Sequence, residues 1–392
     1  MLTARGITVL APALATLAAS ALVLSACTGS DDPPESESTP DAGGTAAAES
    51  ITIAMSGDVL VHNTVWASAQ SDAAAEGKPG FDFAPMFASM RPVIGGADLA
   101  ICHLETPVAP ASGPFENYPV FSVPPQVLSG LKQTGYDLCT TASNHSVDKG
   151  FEGIARTIDA FRRNDLPWSG TAKNAAESRR TPLIDANGVQ VAVLSYTFGT
   201  NGMPVEKPWS VNLIDTDEIV ADAAKAKDDG ADLVMVALHD GKEYDEAPTE
   251  HQREVVDEIT QSPDIDLVYG HHAHTSQPFD VVNGTWVAYG LGNFIAQQEL
   301  TLPETYRGTT AEFTFAESDD GWSVTAARFV PTQITMPGEY ADTMRVLDAR
   351  AALADAETPE SLKPKLRETI AAVSEVSFAL GARRDGLRMV SH

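Results

Sequence analysis

From residue 51 onward, short runs of aliphatic and β-branched residues alternate with segments in which apolar residues recur at helical spacing. The apolar runs predict six strands, at Ile51–Ser56, Leu99–Leu104, Asp137–Thr141, Val189–Tyr196, Leu233–Leu238 and Ile265–Tyr269. The intervening segments predict five helices, at Phe83–Met90, Pro125–Thr134, Phe151–Asn164, Thr216–Asp229 and Thr249–Gln261. Strands that are apolar on both faces and separated by helices indicate an α/β fold.

The pattern changes after Pro278. Turn signals at Asn283-Gly284 and Asp319-Asp320-Gly321 predict consecutive strands, at Phe279–Val282, Thr285–Tyr289, Ala311–Phe315 and Trp322–Phe329. A segment from about Tyr340 to Leu387 is rich in Ala, Glu, Lys and Arg, which predicts helix. We therefore expect a globular domain over residues 51–335 and a helical C-terminal extension over residues 336–392.

The first residues are typical of an export signal. Arg5 precedes an uncharged stretch rich in Ala, Leu and Val, which ends in Leu24-Ser25-Ala26-Cys27. This ending resembles the bacterial lipobox, in which the Cys becomes the lipidated N-terminus. The sequence thus predicts a lipoprotein signal peptide over residues 1–27 with Cys27 as the lipidation site, and a chain held at the cell membrane facing outside the cytoplasm. The alternative is a plain signal peptide or a membrane-spanning anchor.

Residues 28–50 are Asp, Glu, Ser, Thr, Pro, Gly and Ala and include no large apolar residue, so we expect a disordered linker.

The whole chain has 26 Lys and Arg against 54 Asp and Glu, a formal net charge of −28. That charge argues against nucleic-acid binding through a phosphate-neutralising surface. It also argues against electrostatic adhesion to anionic lipids, so membrane attachment requires an apolar or covalent anchor.

Two further cysteines, Cys102 and Cys139, lie in predicted strands. Export would permit a disulfide between them, but the burial habit of Cys favours free buried thiols.

Polar side chains of metal-ligand and acid–base types follow the predicted strands. They are Asp58, Glu105, the pair Asn144-His145, His239, and the group His271, His272 and His274. Ligands of open α/β sheets gather beyond the carboxyl ends of the strands, so these side chains are expected to meet there.

A mixed carboxylate, amide and imidazole set suits transition-metal ions such as Mn, Zn or Fe. Two divalent ions about 3.5–4 Å apart need a shared carboxylate and several neutral ligands. Asp58 and Glu105 can supply the carboxylates. The neutral donors are Asn144, His239, His272 and His274.

Three neighbouring residues have less direct roles. His145, beside a predicted ligand, is placed to protonate a leaving group. Asp148 could orient His145 or cap the following helix. His271 would face away from His272 and His274, which suits support of a ligand or a substrate contact.

Six blocks of the sequence occur in the order found in one family. The blocks are Gly57-Asp58-Val59-Leu60, Ala97–Pro107, Ala142–Gly150, His239–Tyr244, Gly270–Gln277 and Tyr289–Phe294. Together they resemble the CapA family of capsule and poly-γ-glutamate synthesis proteins, which is related to calcineurin-like metallophosphoesterases. The resemblance extends over roughly residues 51–330.

The resemblance implies a four-layer α/β/β/α sandwich with a dinuclear metal centre. By position it makes Asp58, Glu105, Asn144, His239, His272 and His274 metal ligands, with Glu105 as the bridging carboxylate. It makes His145 the catalytic acid. Glu243, Tyr244 and Asn293 fall in family motifs and are expected to line the pocket.

The chain departs from the family pattern at four positions. Leu60 stands where metallophosphoesterases usually have His, and His62 lies two residues further on. His103 replaces a common Asn, Asp240 a frequent Trp, and Ser143 a frequent second Asn. These differences bear on the number of metal ions and on the shape of the substrate pocket. We expect His62 and His103 to line the pocket or to support the metal ligands.

Two functions remain open on the sequence. The first is a metal-dependent hydrolase or transferase outside the membrane, in which a metal-bound hydroxide attacks a phosphoester or an amide of a cell-envelope polymer. The second is a non-catalytic accessory that holds or exports poly-γ-glutamate or capsule polymer on the same fold. In either case the C-terminal extension could pack on the domain or contact a membrane partner, which by the family resemblance would be a synthase complex.

Overall fold

The computed structural model describes residues 50–392. The predicted signal peptide, the lipidation site Cys27 and all but the last residue of the predicted linker lie outside the described residues.

Residues 50–392 form strands and helices in alternation through most of their length. The strands are β1 (Ser50–Val59), β2 (Leu99–Leu104), β3 (Leu138–Thr140), β4 (Trp168–Ser169), β5 (Leu183–Ala186), β6 (Val189–Thr197), β7 (Leu233–Asp240), β8 (Leu267–His272), β9 (Phe279–Val282), β10 (Thr285–Ala288), β11 (Asn293–Ile295), β12 (Arg307–Ser318), β13 (Gly321–Thr335), β14 (Arg345–Asp348) and β15 (Arg388–Met389). The helices are α1 (Asn63–Ala75), α2 (Arg91–Ile94), α3 (Gln126–Thr134), α4 (Gly150–Arg163), α5 (Thr216–Asp228), α6 (Glu250–Ile259), α7 (Ala349–Ala354) and α8 (Lys363–Ser377), with 3₁₀ turns at Ala84–Met90 and Pro303–Tyr306.

The strands build two sheets. The first has the order β14-β13-β12-β1-β2-β3-β4, with β11 beside the end of β1 and β15 beside β13. The second has the order β5-β6-β7-β8-β10-β9. In the first sheet β1 to β4 are parallel, and in the second β6, β7, β8 and β10 are parallel. The carboxyl ends of each parallel set therefore lie at one edge of its sheet.

The two sheets pack face to face with helices on both outer surfaces. Ile53 and Met55 of β1 share one buried cluster with Val191 and Val193 of β6, which lies between the sheets. The outer face of the first sheet packs on α1, α3 and α4. On the outer face of the second sheet, Leu194 of β6 packs with residues of α5 and α6. The predicted four-layer α/β/β/α sandwich is confirmed.

This alternation explains the apolar runs in the sequence. Successive residues of β6 point to opposite faces, and each face meets a different buried cluster. The helices are held by local signals as well as packing. Asp215 caps α5 by accepting a hydrogen bond from the Glu218 backbone, and Thr249 with Gln252 forms a capping box at α6.

The helical prediction for the C-terminal extension is confirmed only in part. Helices α7 and α8 form, but β14 and β15 add to the first sheet beside β13. Strand β13 extends well beyond the predicted Phe329, to Thr335, and offers backbone groups that a short neighbouring strand can pair with. The segment is thus part of the sandwich and not a separate helical tail.

The expectation of free thiols is wrong. Cys102 and Cys139 form a disulfide, with their Cα atoms 4.4 Å apart. They are direct register partners on the adjacent parallel strands β2 and β3. That neighbourhood is set by sheet order, which the 37-residue separation in sequence does not reveal.

A search of residues 50–392 finds no helix with the length and apolar character needed to cross a bilayer.

Candidate metal centre

Side chains from both sheets converge where the carboxyl ends of the parallel strands meet. Asp58 lies on β1, Glu105 follows β2, and Asn144 follows β3. From the second sheet, His239 lies on β7 and His272 on β8. All five are buried. The predicted ligands therefore come together, and they do so across the gap between two sheets.

Close backbone approach at this edge requires glycine at two positions. A Cβ atom on Gly57 would overlap the carbonyl oxygen of Gly292, next to the pairing of β1 with β11. A Cβ atom on Gly270 would overlap the carbonyl oxygen of Tyr289. These glycines precede Asp58 and His271 and let the neighbouring strands bring both side chains into the site.

Asp58 organises the loop that follows β8. Its Oδ1 accepts a hydrogen bond from Nδ1 of His271 at 2.8 Å. Its Oδ2 accepts from Nδ1 of His274 at 3.1 Å and from the backbone N–H of His272 at 3.3 Å. Burial opposes ionisation, but the hydrogen bonds from the two imidazoles outweigh it and hold the pKa of Asp58 well below its usual range.

Glu105 occupies the middle of the cluster without a hydrogen-bond partner. Within residues 50–392 neither carboxylate oxygen has one, although both are buried. Oε1 lies 3.8 Å from Nε2 of His274 and 3.9 Å from Nε2 of His239. Burial raises the pKa of the Glu105 carboxyl to about 7. A buried carboxylate flanked by two imidazoles is the arrangement that a bound cation would complete.

His239 faces Glu105 through Nε2, and a hydrogen bond from its other ring nitrogen fixes the tautomer. Nε2 of His239 lies 2.9 Å from Oδ1 of Asn144, so both atoms face the same space as Glu105. Nδ1 of His239 is 3.0 Å from Nε2 of His103, whose Nδ1 is 2.9 Å from Oγ1 of Thr140. In the tautomer that leaves Nε2 of His239 free, its Nδ1–H donates to His103, which donates in turn to Thr140. Burial lowers the pKa of His239 well below its ordinary value, so the ring is neutral, as a metal ligand requires.

His272 and His274 sit on unusual backbone. Their φ angles are 87° and 57°, in the left-handed region that non-glycine residues rarely adopt. Such backbone persists where the surroundings hold it, often at functional sites. Nδ1 of His272 is buried without a hydrogen-bond partner among the described residues, and its ring centroid lies 4.9 Å from that of His239. Burial lowers the pKa of His272 to about 3.

The pKa of His274 shifts in the opposite direction to that of His272. Burial opposes its protonation, but the charge of Glu105 and the hydrogen bond to Asp58 raise the pKa of His274 to about 9. Its Nδ1 also lies 3.1 Å from Oδ1 of Asn293, which leaves Nε2 facing Glu105. A proton on His274 thus compensates part of the buried negative charge, and a divalent ion would take its place.

Among the described residues, two groups of side chains have potential metal-ligand atoms that all lie within 4.8 Å of one another. One is Asp58, Glu105 and His274, and the other is Asp58, His103 and His271. In the second group both nitrogens of His103 already face hydrogen-bond partners, and its ring stacks on His271 at 3.9 Å. His103 and His271 therefore contact the first group from behind, through His239 and Asp58.

The predicted acid lies at the edge of the cluster. Nδ1–H of His145 donates to Oδ2 of Asp148 at 2.8 Å, and the backbone N–H of Phe121 donates to the same oxygen at 2.7 Å. Burial opposes protonation, but this hydrogen bond and the charge of Glu105 raise the pKa of His145. Of the two roles open to Asp148, the structure shows contact with His145; α4 has no side-chain cap.

An open cavity of about 480 Å³ leads to His145 and His274. His62, Glu243 and Tyr244 line it, as expected for pocket residues. His62 accepts a hydrogen bond at Nδ1 from the Gln297 backbone, and burial lowers its pKa to about 4. Asn293 lies elsewhere. It is buried behind His274, where its Nδ2 donates to the carbonyl oxygen of Thr305.

Several residues of this region carry no recognisable signal in the sequence. Phe121 packs edge-on against both His62 and His145, with ring centroids 5.2 and 4.8 Å away. Phe198 packs against His272 at 4.6 Å. Tyr118 and Gln297 line the cavity from two irregular loops. Residues at the ends of regular strands can be located from the periodic pattern of the sequence, whereas irregular loops of this kind have no such pattern.

Comparison with known proteins gives one family. Residues 52–298 match the family model described as "Bacterial capsule synthesis protein PGA_cap". The chain is 29% identical over 265 residues to the capsule biosynthesis protein CapA of Bacillus anthracis, covering 64% of this chain and 61% of that protein. It is 30% identical over 173 residues to the PGA biosynthesis protein CapA of Bacillus subtilis (strain 168), covering 44% and 45%. The chain thus spans less than two thirds of the length of these curated relatives.

Among solved structures, similar chains include phosphoesterases. The calcineurin-like phosphoesterase YfkN from Bacillus subtilis aligns with a TM-score of 0.43 and 13% identity, covering 84% of this chain and 99% of that one. A phosphatase from Mycoplasma pneumoniae aligns with a TM-score of 0.44 and 11% identity, covering 73% and 94%.

Proposed function

Because this chain belongs to the bacterial capsule synthesis protein family PGA_cap, we propose that it is a divalent-metal-dependent hydrolase acting in the synthesis of capsule polymer or poly-γ-glutamate. The bond it cleaves is a phosphoester or an amide of a cell-envelope polymer. The proposal also places the protein on the outer side of the cell membrane, attached through Cys27.

The observation that carries the proposal is the state of Glu105. Leaving a buried carboxylate without a donor is energetically unfavourable unless a cation satisfies it. Around Glu105 the available partners are imidazole nitrogens and an amide oxygen, which are the donors that Mn, Zn and Fe accept. The residues present therefore fit a transition-metal centre better than a purely structural hydrogen-bond network.

Two ligand groups share Glu105. Asp58 and His274 form one close group with Glu105. Nε2 of His239, 3.9 Å from Oε1 of Glu105, belongs to a second group with Asn144 and His272. Divalent ions held by these groups would supply Lewis-acid stabilisation of negative charge and lower the pKa of a water molecule. The protein's own task is to orient the ligands, which the hydrogen bonds of Asp58, Asn293 and His103 do.

His145 is the candidate proton donor for the leaving group. It borders the cavity, whereas Asp148 behind it is almost fully buried. The Asp148 carboxylate fixes the ring through Nδ1, so the proton on Nε2 faces away from Asp148. Although burial opposes protonation, the hydrogen bond to Asp148 and the charge of Glu105 raise the pKa of His145 and so favour the protonated form that a proton donor needs.

The test compares metal content and turnover in matched variants. The double variant His272→Ala, His274→Ala should lose bound metal, whereas His251→Ala should keep it, because the His251 side chain is exposed on α6 and pairs with Asp240. Metal analysis after reconstitution with Mn²⁺, Zn²⁺ or Fe²⁺ measures the metal content. Hydrolysis of bis(4-nitrophenyl) phosphate measures the turnover. Equal metal in wild type and the double variant would refute the ligand assignment.

A further inference from the structure

We propose that the cavity beside the metal centre binds an uncharged sugar unit of a phosphoester substrate and not a stretch of polyglutamate. This inference rests on the proposed hydrolytic function and deepens it by naming the chemical class that the cavity accepts. Three features of the cavity support it: its charge, its aromatic rim and its amide groups.

The charge of the cavity does not suit a polyanion. The imidazoles of His145 and His274 line the end of the cavity at the metal centre, where the phosphate of a substrate would bind. No Lys or Arg is among the described residues that line the rest of it, and Glu243 and Glu299 bring two carboxylates. The nearby ammonium groups are engaged elsewhere, since Lys242 pairs with Asp245 at 3.2 Å and Lys149 with Glu116 at 2.7 Å. Proteins recognise carboxylate polymers with Arg and Lys. The net charge of −28 adds long-range repulsion of any polyanion.

Two tyrosines give the cavity exposed aromatic faces. Tyr118 is 70% exposed and Tyr244 is 39% exposed, although side chains of this size are normally covered. Both line the cavity. Tyr244 adopts a positive φ of 65° and its backbone N–H donates to the carbonyl oxygen of Ala273 at 2.7 Å, which fixes it beside the metal-ligand loop. The apolar C–H faces of a sugar ring pack well on aromatic faces of this kind.

Amide side chains complete the lining. Asn117, Gln297 and Gln298 line the cavity. Oδ1 of Asn117 already accepts from the Asn63 backbone, and Gln297 is bonded at both amide atoms, so the side-chain N–H groups of Asn117 and Gln298 are the donors left for a ligand. Sugar hydroxyl groups both donate and accept, and carboxylates such as Glu299 accept from them. This combination of amides, carboxylates and tyrosines matches hydroxyl groups far better than it matches the acceptor-only carboxylates of glutamate.

The test uses three phosphodiesters with one leaving group. In each, a 4-nitrophenyl phosphate is esterified to glucose, to glucuronate or to glucosamine, so the sugar is neutral, anionic or cationic. Hydrolysis adds water across the P–O bond: the water oxygen bonds to phosphorus, the bond to 4-nitrophenolate breaks, and His145 supplies the proton. With the full metal-loaded chain, we expect binding of the glucuronate diester to be about tenfold weaker than that of the glucose diester, the size of one like-charge contact.

Variants report on the cavity itself. Tyr118→Ala should weaken binding of the glucose diester several-fold, whereas Tyr340→Ala, an exposed tyrosine outside the cavity, should leave it unchanged. Glu299→Lys should make binding of the glucuronate diester as tight as binding of the glucose diester. None of these residues belongs to the proposed ligand groups, so metal content should match wild type in all three.

Binding is measured by calorimetry and turnover by release of 4-nitrophenol, which separates the two proposals. Absence of turnover with the expected binding order would refute the hydrolase and leave the sugar preference standing. Equal or tighter binding of the glucuronate diester would overturn the sugar inference even if all three diesters are hydrolysed. Tightest binding of the glucosamine diester would overturn it in favour of a cationic substrate.

Discussion

At the scale of single residues, the site depends on which side chains are satisfied and which are not. Asp58 accepts hydrogen bonds from three donors, whereas the oxygens of Glu105 accept none from the described residues. The two carboxylates are of similar type and equally buried, yet their pKa values shift in opposite directions. At Asp58 the hydrogen bonds and charges of His271 and His274 outweigh burial, whereas at Glu105 burial dominates and the charge of Asp58 adds to it. In the proposed centre, Asp58 therefore organises the loop as well as binding metal, and Glu105 binds the cation.

Glu105→Gln tests this contrast. The change removes the buried charge that lacks a partner, so the metal-free protein should melt at the wild-type temperature or above it. The same change removes the carboxylate shared by both ligand groups, so the dissociation constant for Mn²⁺ should rise by at least roughly hundredfold. Circular dichroism and calorimetry measure the two effects. A metal-free variant that melts well below wild type would show that Glu105 stabilises the fold directly.

Asp148→Asn tests how His145 is tuned. Asn keeps an acceptor for the Phe121 backbone but loses the charge that raises the pKa of His145. Because a proton donor is inactive once deprotonated, the alkaline limb of kcat/KM should move to lower pH. Asp159→Asn, in an exposed ion pair with Lys173, is the matched control and should leave the profile in place. Reduced activity with an unmoved alkaline limb would mean that Asp148 is only structural.

At the scale of secondary-structure elements, the strands of the predicted core lie close to where the sequence places them. Leu99–Leu104 and Phe279–Val282 agree at both ends. Helix α1 is absent from the prediction because its sequence is Ala-rich and has little amphipathic periodicity, although Val65 and Ala69 are buried. Predicted helix Phe83–Met90 is a 3₁₀ turn that leads into α2. Such segments are shaped by packing and not by their own pattern.

The disulfide between β2 and β3 should stabilise the strands that carry Glu105 and Asn144. Cys102→Ala, Cys139→Ala should lower the free energy of unfolding by about 3 kcal/mol, because the cross-link restricts the unfolded chain. Urea denaturation measures the change. Reductant should destabilise wild type to a similar extent and leave the double variant unaffected. Wild type that unfolds identically with and without reductant would contradict the cross-link.

The C-terminal segment is tied to the core through Arg345 of β14. Its guanidinium donates to both oxygens of Asp72 on α1, at 2.9 Å each. Arg345→Ala should lower the free energy of unfolding by about 1–3 kcal/mol, since it leaves a mostly buried carboxylate short of donors. Arg367→Ala, on the exposed face of α8, is the control and should have little effect. Equal stability of the two variants would show that the pair contributes nothing to docking the segment.

At the scale of the whole molecule, the predicted export and lipid attachment govern where the chemistry takes place. This prediction rests on residues 1–27, which lie outside the described part of the chain. It also rests on the formal net charge of −28, which argues against electrostatic adhesion of the chain to anionic membranes. Cys27→Ser should therefore move the protein from the membrane fraction to the soluble or secreted fraction. Immunoblotting of fractionated cells measures this, with Cys102→Ser as the control that should remain with the membrane.

The sequence by itself determined the α/β class, the positions of the core strands along the chain and the residue types at their carboxyl ends, because these depend on local periodicity and on chain direction. Only the tertiary structure decided which partners those residues have: that two facing sheets share one site, that Cys102 meets Cys139, and that Asn293 lies behind His274. It also decided that the C-terminal segment completes the first sheet and that irregular loops line the cavity. The physical reason is that contacts between residues far apart in sequence are fixed by packing of whole layers, which leaves no periodic trace along the chain.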